Sequence, residues 1–317
     1  MPPRFLVLGL LIAGTSPAAG ADQPPLLSLR DGDRIVLIGG TLLEREQRFG
    51  HWEHAIITAS PDKRLSLRNL GWGGDTVWAE SRGIFDPAEK GYARLIEQAR
   101  ELQPTVFLLH YGGNEAWAGP AGLERFLAQY RKLLADLRGA ADSAPPAGSA
   151  PRFVLLGPLP MESGVGPQPN PSAYNGHVRL YADAISRLAS EQGAGYLDLA
   201  EMYDWYAARH PEPSRQPLTD NGLHLTESGF RATAPWFSER LVGVASTTPD
   251  SASTSELLIA IRDKNELYFH RWRPQNVTYL FLFRKHEQGQ NAVEIPQFDP
   301  LIAAAEDRIQ QLSRSGQ

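Results

Sequence analysis

Four short polar motifs contain the residues of this chain whose types and spacing suit chemistry. Their side chains include hydroxyls, an imidazole, carboxylates and amides, and the motifs are Ile38–Thr41, Leu70–Thr76, Tyr111–Glu115 and Asp220–His224. A hydroxyl can attack an acyl carbon when a base such as histidine removes its proton. Because each motif follows or closes an apolar run, we interpret the four motifs as parts of one active site.

Three apolar runs indicate strands that are buried on both faces. They are short, rich in branched residues and free of polar alternation: Arg34–Ile38, Thr105–Leu109 and Phe153–Leu156. Such runs are typical of a parallel sheet covered by helices on both sides. Open α/β sheets bind their ligands beyond the carboxyl ends of the strands, so we expect this sheet to bring the motifs together.

Strand and helix patterns alternate from Arg34 to about Leu241. This alternation predicts an α/β protein with three α/β/α layers and a mostly parallel five-stranded sheet. The two remaining strands are predicted at Leu65–Leu70 and Gly195–Leu199. The helices, which have apolar residues every three or four positions, are predicted at Gly40–Ala59, Gly91–Leu102, Gly122–Leu137 and Ser172–Gln192. The stretch Gly139–Pro151, rich in Ala, Pro and Gly, is predicted to be a surface loop.

The first 21 residues are predicted to be a signal peptide. One arginine precedes an apolar run from Phe5 to Gly14, and small residues end the segment at Ala21. The run is too short to span a bilayer, which takes about 20 apolar residues. We therefore expect the protein to be exported to the periplasm or the extracellular space.

Composition excludes several classes of function. The formal net charge of -5 gives no electrostatic reason to bind nucleic acid. Without cysteines, the chain cannot use thiol catalysis or thiolate metal sites. His51 and His54, with Glu53 between them, lack an indicated third metal ligand, so a solvated helix face is the favoured interpretation. We predict neither a metal nor another cofactor.

The chain changes character beyond Ser255. Residues 22–243 are predicted to form the main domain, 244–255 a linker, and 256–317 an aromatic-rich extension. Within the extension, helices are predicted at Glu256–Asn265 and Pro300–Ser313, and strands or extended arms at Glu266–Trp272 and Val277–Phe283. So many aromatic residues are expected to pack on the main domain or on a second subunit. The extension would then close the site, dimerise the protein or bind a partner.

In their order along the chain, the four motifs resemble the sequence blocks of the SGNH or GDSL-like hydrolases. This superfamily contains esterases and deacylases with a flavodoxin-like α/β/α fold. Its first block holds a nucleophilic serine, its second and third blocks supply an oxyanion-binding glycine and asparagine, and its last block is Asp-x-x-His. The resemblance covers roughly Asp33 to Leu241 and implies the same fold and an ester-hydrolysing activity.

The chain departs from this pattern at the nucleophile, where Thr41 stands in place of serine. A threonine hydroxyl can act as a nucleophile, although its β-branch restricts χ1 and adds a methyl group near the substrate. The alternative is that Thr41 only caps the following helix, with Glu44 completing a capping box. The two interpretations do not exclude each other.

The second departure is in the last block. The resemblance implies that His224 is the base, but the residue three before it is Asn221, and the carboxylate is Asp220. A base histidine needs an acceptor on its other ring nitrogen to hold the tautomer. The sequence leaves open whether Asp220 or Asn221 orients the ring, and also allows His224 to be an ordinary loop residue.

The oxyanion donors fit the pattern better. The resemblance implies the backbone N–H groups of Thr41 and Gly74 and the side-chain amide of Asn114. A turn glycine and a helix cap are the ordinary alternatives for the last two. Three tryptophans beside the second and third blocks are candidates to line a substrate cleft, although core packing is the commoner role: Trp72, Trp78 and Trp117.

The leading hypothesis is an exported esterase that removes an acetyl or short acyl group, with a carbohydrate as the favoured substrate. Because Thr41 and Asn221 depart from the family pattern, the second hypothesis is a degenerate domain that binds a glycan or acylated ligand without turnover. A third is that the extension makes the chain an interaction subunit of a complex.

Overall fold

The computed structural model describes residues 25–142, 150–166, 171–246 and 255–315. The predicted signal peptide lies outside these residues, as do residues 143–149 of the predicted loop and 247–254 of the predicted linker. None of the helices in the described part of the chain combines the length and the apolar character that crossing a bilayer requires.

One sheet of five strands forms the centre of the protein. The strands are β1 Arg34–Gly39, β2 Ser66–Asn69, β3 Val106–His110, β4 Arg152–Leu156 and β5 Gly195–Leu197. Their order is β2-β1-β3-β4-β5, and every pairing is parallel. The sheet confirms the predicted α/β fold class, and its parallel strands end at one edge.

Helices cover both faces of the sheet. Those of the main domain are α1 Thr41–Phe49, α2 His51–Thr58, α3 Ala88–Leu102, α4 Gly119–Asp142, α5 Pro171–Glu191, α6 Glu201–Arg209 and α7 Glu227–Val242. Short 3₁₀ turns lie at Glu80–Gly83, Glu115–Ala118 and Gly289–Gln297. The prediction of one helix over Gly40–Ala59 is wrong, because Gly50 has φ 70° and this left-handed conformation ends α1. The predicted loop likewise begins too early, since α4 continues to Asp142.

Alternate residues of the strands build two separate cores. Ile35 and Leu37 pack with α1, α2, α6 and α7, whereas Val36 and Ile38 pack with α3, α4 and α5 on the other face. Strand side chains point to opposite faces in turn, so a strand buried on both sides needs no polar alternation. This is why the apolar runs in the sequence indicated the sheet.

The extension is helical, and the prediction of strands in it is wrong. Its helices are α8 Glu256–Trp272, α9 Val277–Leu280, α10 Lys285–Gln288 and α11 Phe298–Ser315. The buried positions of α8 recur every three or four residues through its last turn: Leu257, Leu258, Ile261, Lys264, Asn265, Tyr268 and Trp272. One apolar face therefore continues through the stretch that was predicted to be a strand.

Helix α8 lies beside the edge strand β2. The Lys264 Nζ atom donates to the Leu67 carbonyl oxygen at 2.8 Å and pairs with Glu53 Oε1 at 2.6 Å. Helix α11 packs against α8, and Arg68 of β2 pairs with Glu306 at 2.9 Å. The extension thus covers a sheet edge that would otherwise expose unpaired backbone groups.

Candidate active site

The four polar motifs meet beyond the carboxyl edge of the sheet, as parallel strands require. There they surround a small cavity of about 80 Å³. Its lining residues include Gly40, Thr41, Leu42, His110, Asn114, Trp117, Tyr174 and His224. A hydroxyl, an imidazole and an amide that are far apart in sequence therefore share one cavity.

Thr41 is the first residue of α1, directly after β1. Gly40 precedes it at the N-cap position, where no side chain caps the helix. The Thr41 Oγ1 atom instead accepts a hydrogen bond from the Gly74 N–H at 3.0 Å. The capping-box interpretation is therefore wrong: Thr41 bonds across to the second motif, and the Glu44 carboxylate pairs with Arg273.

Two groups of the site lie close to Gly40. A Cβ atom there would lie 3.3 Å from the Asp75 carbonyl oxygen and 3.8 Å from Asn114 Nδ2. The first of these distances is tighter than an ordinary van der Waals contact. Gly40 thus lies against backbone and amide groups of the second and third motifs.

The second and third motifs each supply a hydrogen-bond donor to this site. Gly74 has φ 72°, a conformation that glycine adopts without strain, and this turn directs its N–H toward Thr41. The Asn114 amide donates one N–H to the Asp75 carbonyl oxygen at 2.8 Å, and an amide nitrogen has a second N–H. Donors arranged in this way can stabilise negative charge that develops on a carbonyl oxygen.

The Asn221 side chain holds the ring of His224. Its Oδ1 atom accepts from the backbone N–H groups of Leu223 at 3.0 Å and His224 at 2.9 Å. These two bonds fix the amide orientation, so Nδ2 lies 3.0 Å from His224 Nδ1. An amide nitrogen only donates, so Nδ1 accepts and the neutral ring has its proton on Nε2. In this tautomer Nε2 cannot take a proton from a hydroxyl.

Asp220 does not hold the ring. Its Oδ2 atom pairs with Arg45 Nη2 of α1 at 2.6 Å, and Arg45 also donates to the Leu225 carbonyl oxygen at 2.8 Å. Burial lowers the pKa of His224, the Arg45 charge lowers it further, and the Asp220 charge opposes them. His224 is therefore neutral at neutral pH. Asp220 meets it only through the backbone, where its N–H donates to the His224 carbonyl oxygen at 3.1 Å, whereas the Asn221 side chain is bonded to the ring.

Two buried side chains hold the motifs in place, and the sequence analysis missed both roles. Glu115 accepts from the backbone N–H groups of Val77 at 2.7 Å and Gly112 at 2.8 Å. It thereby joins the second and third motifs. Arg82 donates to Asp75 Oδ2 at 2.7 Å and to the Leu70 carbonyl oxygen at 2.8 Å, which ties the two ends of the second motif together. Glu115 lies beside Asn114 in its motif, whereas nothing in the sequence marks Arg82.

His110 is a third residue that the sequence analysis missed. It is the last residue of β3 and lines the cavity. Among the described residues neither of its ring nitrogens has a hydrogen-bond partner, and burial lowers its pKa to about 4. Both ring nitrogens are buried, so His110 is a neutral side chain beside the cavity whose polar atoms are unpaired within the described part of the chain.

Of the three candidate tryptophans, only Trp117 lines the cavity. Its side chain is 56% exposed and stacks on Tyr174 with ring centroids 4.4 Å apart. Trp72 instead packs against Trp272 and Arg273 of the extension. The guanidinium carbon of Arg125 lies over Trp78, 4.8 Å from the centroid of the Trp78 ring. Trp72 and Trp78 are not among the residues that line this cavity, and packing is the role that their contacts show.

The histidines of α2 are not on a solvated helix face. His51 and His54 are 2% and 6% exposed, and burial is the main cause that lowers the pKa of each to about 4. Glu53 between them pairs with Lys264. Across the described ranges, no group of three or more His, Cys, Asp or Glu residues is arranged to hold a metal ion.

Comparison with solved structures shows the same fold. The chain is similar to a putative GDSL-like lipase from Parabacteroides merdae, with 14% identity, a TM-score of 0.51, and coverage of 69% of this chain and 99% of that chain. It is also similar to a catalytic mutant of Axe2, an acetylxylan esterase from Geobacillus stearothermophilus, with 14% identity, a TM-score of 0.50, and coverage of 68% and 96%.

A third similar structure is a gut microbial diltiazem-metabolizing enzyme, with 16% identity and a TM-score of 0.48. The match covers 68% of this chain but only 48% of that enzyme, or about half of its length. No curated protein matches the sequence. The model of the GDSL-like Lipase/Acylhydrolase family matches residues 30–232, which is more than half of the 317 residues. The chain therefore belongs to the GDSL-like lipase/acylhydrolase family, which places it among the hydrolases that act on ester bonds.

Proposed function

We propose that this protein hydrolyses short acyl esters with Thr41 as the nucleophile and His224 as the base. The observation that supports this most is the position of the Thr41 hydroxyl. Its Oγ1 atom lies 3.0 Å from the Gly74 N–H, in the cavity that His224 and Asn114 also line. A nucleophile, a base and oxyanion donors are the groups that acyl transfer requires.

In the first half of the reaction, Thr41 Oγ1 attacks the acyl carbon while its proton passes to His224 Nε2. The carbonyl oxygen becomes an oxyanion, which the N–H groups of Thr41, Gly74 and Asn114 stabilise. The ester C–O bond then breaks, and His224 returns the proton to the leaving alcohol. In the second half, a water molecule attacks the acyl-threonine with His224 again as base, and the carboxylic acid leaves.

Asn221 makes this reaction slow. Proton transfer to Nε2 requires the tautomer whose proton is on Nδ1, and the observed amide donates to Nδ1 instead. The side chain must turn its oxygen to the ring, which breaks both of its bonds to backbone N–H groups. In a serine protease, replacing the triad aspartate by asparagine lowers kcat about 10⁴-fold. The cause is the same, because the asparagine holds the catalytic histidine in the wrong tautomer.

The proposed substrate is an O-acetyl or other short acyl group on a carbohydrate. A cavity of about 80 Å³ leaves room for only a small acyl chain. The exposed Trp117 ring beside it offers a flat apolar surface on which a sugar ring can stack. A signal peptide over residues 1–21 and export, both still predictions from the sequence, fit a carbohydrate outside the cell.

Hydrolysis of 4-nitrophenyl acetate and octanoate by the protein without residues 1–21 tests this proposal. We expect the acetate to be preferred, and Thr41→Ser to match or exceed the wild type because the methyl group is removed. Thr41→Ala and His224→Ala should each lower kcat by about 10³-fold or more. Thr58→Ala is the matched control, since its hydroxyl bonds only within its own helix. A Thr41→Ala variant that retains the wild-type rate would refute the assignment of the nucleophile.

A second candidate is a domain that binds an acylated glycan without turnover. The specific observation in its favour is the hydrogen bond from Asn221 to His224 Nδ1, which holds the base in an inactive tautomer. Calorimetry with an acetylated xylo-oligosaccharide separates the two. Binding that is unchanged in Thr41→Ala, together with no turnover by the wild type, supports this candidate over the esterase.

A further inference from the structure

We propose that Arg273, in the C-terminal extension, is a positioning residue for the oxyanion turn Trp72–Gly74. This inference rests on the proposed function, in which that turn supplies the Gly74 donor. Arg273 lies beyond residues 30–232, which match the family model. The active site would then depend on a segment that the family domain does not contain.

Arg273 makes two contacts that join different elements of the site. Its guanidinium carbon lies 3.6 Å from the centroid of the Trp72 ring, the distance of a stacked cation–π pair. Its Nη1 atom pairs with Glu44 Oε1 at 2.5 Å. Trp72 belongs to the oxyanion turn, and Glu44 lies in the first turn of α1, which begins with the nucleophile Thr41. Arg273 therefore connects the nucleophile's helix to the turn that holds the oxyanion donor.

The Glu44 carboxylate also lies directly against this turn. A Cβ atom at Gly73 would be 2.3 Å from Glu44 Oε2 and 3.3 Å from its Cδ atom, so the carboxylate lies directly beside this residue. Arg273 fixes the position of that carboxylate through its Oε1 atom. A shift of the Glu44 carboxylate would therefore also move the backbone of Gly73, the residue that precedes the Gly74 N–H.

The main domain holds the opposite side of the turn. Arg82 bonds to the Leu70 carbonyl oxygen and to Asp75, and its guanidinium carbon lies 5.7 Å from the Trp72 ring centroid and 5.9 Å from that of Trp272. Trp272 also meets Trp72 edge to face at 5.8 Å. Trp72 is therefore held by Arg82 from its own domain and by Trp272 and Arg273 from the extension.

Arg273→Met in the full chain tests the proposal, with Arg271→Met as the matched control. Arg271 lies two residues earlier, pairs with Asp299 at 2.8 Å and has nearly the same side-chain exposure, 27% against 25%. Methionine keeps an unbranched apolar side chain but removes the charge and the flat guanidinium. Arg273→Lys keeps the charge for Glu44 and lacks the flat stacking group, so it should give an intermediate result.

Two readouts are compared. Hydrogen exchange followed by mass spectrometry over residues 70–76 should be about tenfold faster in Arg273→Met, because the turn opens more often, and unchanged in Arg271→Met. With 4-nitrophenyl acetate, the kcat of Arg273→Met should be about tenfold below that of the wild type, with little change in KM. This is part of the roughly 10²–10³-fold in kcat that one oxyanion donor contributes.

Exchange does not depend on turnover, so the two proposals can fail separately. If Arg273→Met leaves the exchange of residues 70–76 unchanged, the positioning role is wrong, whatever the activity. If the exchange rises while the wild type hydrolyses no ester, the positioning role stands and the proposed reaction fails. Equal loss of kcat in Arg273→Met and Arg271→Met would also overturn the inference, since a general effect on stability would explain both.

Discussion

In the proposed reaction, Thr41 and Asn221 make opposing demands on the ring of His224. The threonine hydroxyl would release its proton to Nε2, whereas the Asn221 amide holds the ring in the tautomer whose Nε2 already carries a proton. Burial and Arg45 keep His224 uncharged at neutral pH. In the proposed reaction it is therefore the tautomer of the ring, not its charge, that limits the base.

We predict that Asn221→Asp increases turnover of 4-nitrophenyl acetate. One carboxylate oxygen can keep the bonds to the Leu223 and His224 N–H groups, while the other replaces Nδ2, 3.0 Å from Nδ1. A carboxylate only accepts, so Nδ1 becomes protonated and Nε2 becomes free to act as a base. We expect kcat to rise by about 10²-fold or more, within the roughly 10⁴ that this exchange costs in a serine triad.

The control for this prediction is Asn276→Asp, which adds the same charge at an exposed asparagine of the extension. It should leave kcat unchanged. A decrease in kcat for Asn221→Asp, measured in a variant with an unchanged melting temperature, would show that the tautomer does not limit the reaction.

How far the sequence predicts the site depends on where each residue's partners lie. Thr41, Gly74, Asn114 and His224 could be chosen because each stands in a short motif beside a strand. The roles of Arg45, Arg82 and Arg273 could not, because their partners are set by the fold. Arg45 meets Asp220 across 175 positions, and Arg273 meets Glu44 across 229.

At the scale of elements, the sheet was predictable and the extension was not. The strands form local apolar runs, and all five predicted strands overlap observed ones. In Glu266–Trp272 the aromatic residues suggested a strand, but the buried positions of α8 continue with helical spacing through Trp272. The local sequence is compatible with a strand or a helix, and packing on the main domain favours the helix.

The α1–α2 pair contains a buried carboxyl group that the sequence did not reveal. Glu46 is 1% exposed, and its Oε1 atom accepts from the backbone N–H groups of Trp52 at 2.7 Å and Glu53 at 3.0 Å. Its Oε2 atom has no partner among the described residues. Burial is the main cause that raises the pKa of Glu46 from 4.5 to about 8.

We predict that Glu46→Gln stabilises the protein at pH 8 and has little effect near pH 4.5. The folded state retains the Glu46 proton up to about pH 8, whereas the unfolded state loses it above 4.5. The stabilising contribution is therefore complete below pH 4.5 and is lost as the pH rises toward 8. Glutamine is neutral in both states and keeps the accepting oxygen.

Melting temperatures of wild type and Glu46→Gln, measured between pH 4.5 and 9, check this. The difference should grow as the pH rises and level off above about 8. Glu89→Gln, at an exposed position of α3, is the control and should show no such growth. A difference that stayed constant with pH would mean that Glu46 is ionised in the folded protein.

At the scale of the whole molecule, the extension is packed against the family domain. Lys264 binds the edge strand and Glu53, Arg64 pairs with Asp307 at 2.6 Å, and Arg273 reaches the oxyanion turn. The buried lysine is an example of what sequence patterns miss, since its carboxylate partner lies on α2. A second subunit on the extension stays a prediction.

Peptide mass spectrometry after brief incubation with 4-nitrophenyl acetate and acid quenching would detect an acyl group on the nucleophile itself. Wild type, Thr41→Ala, His224→Ala and Asn221→Asp would be compared at equal concentration. We predict an acetyl group on Thr41 in the wild type, more rapid acetylation in Asn221→Asp, and none at this position in the other two. Turnover with no acetyl group on Thr41, or continued turnover by Thr41→Ala, would contradict this prediction.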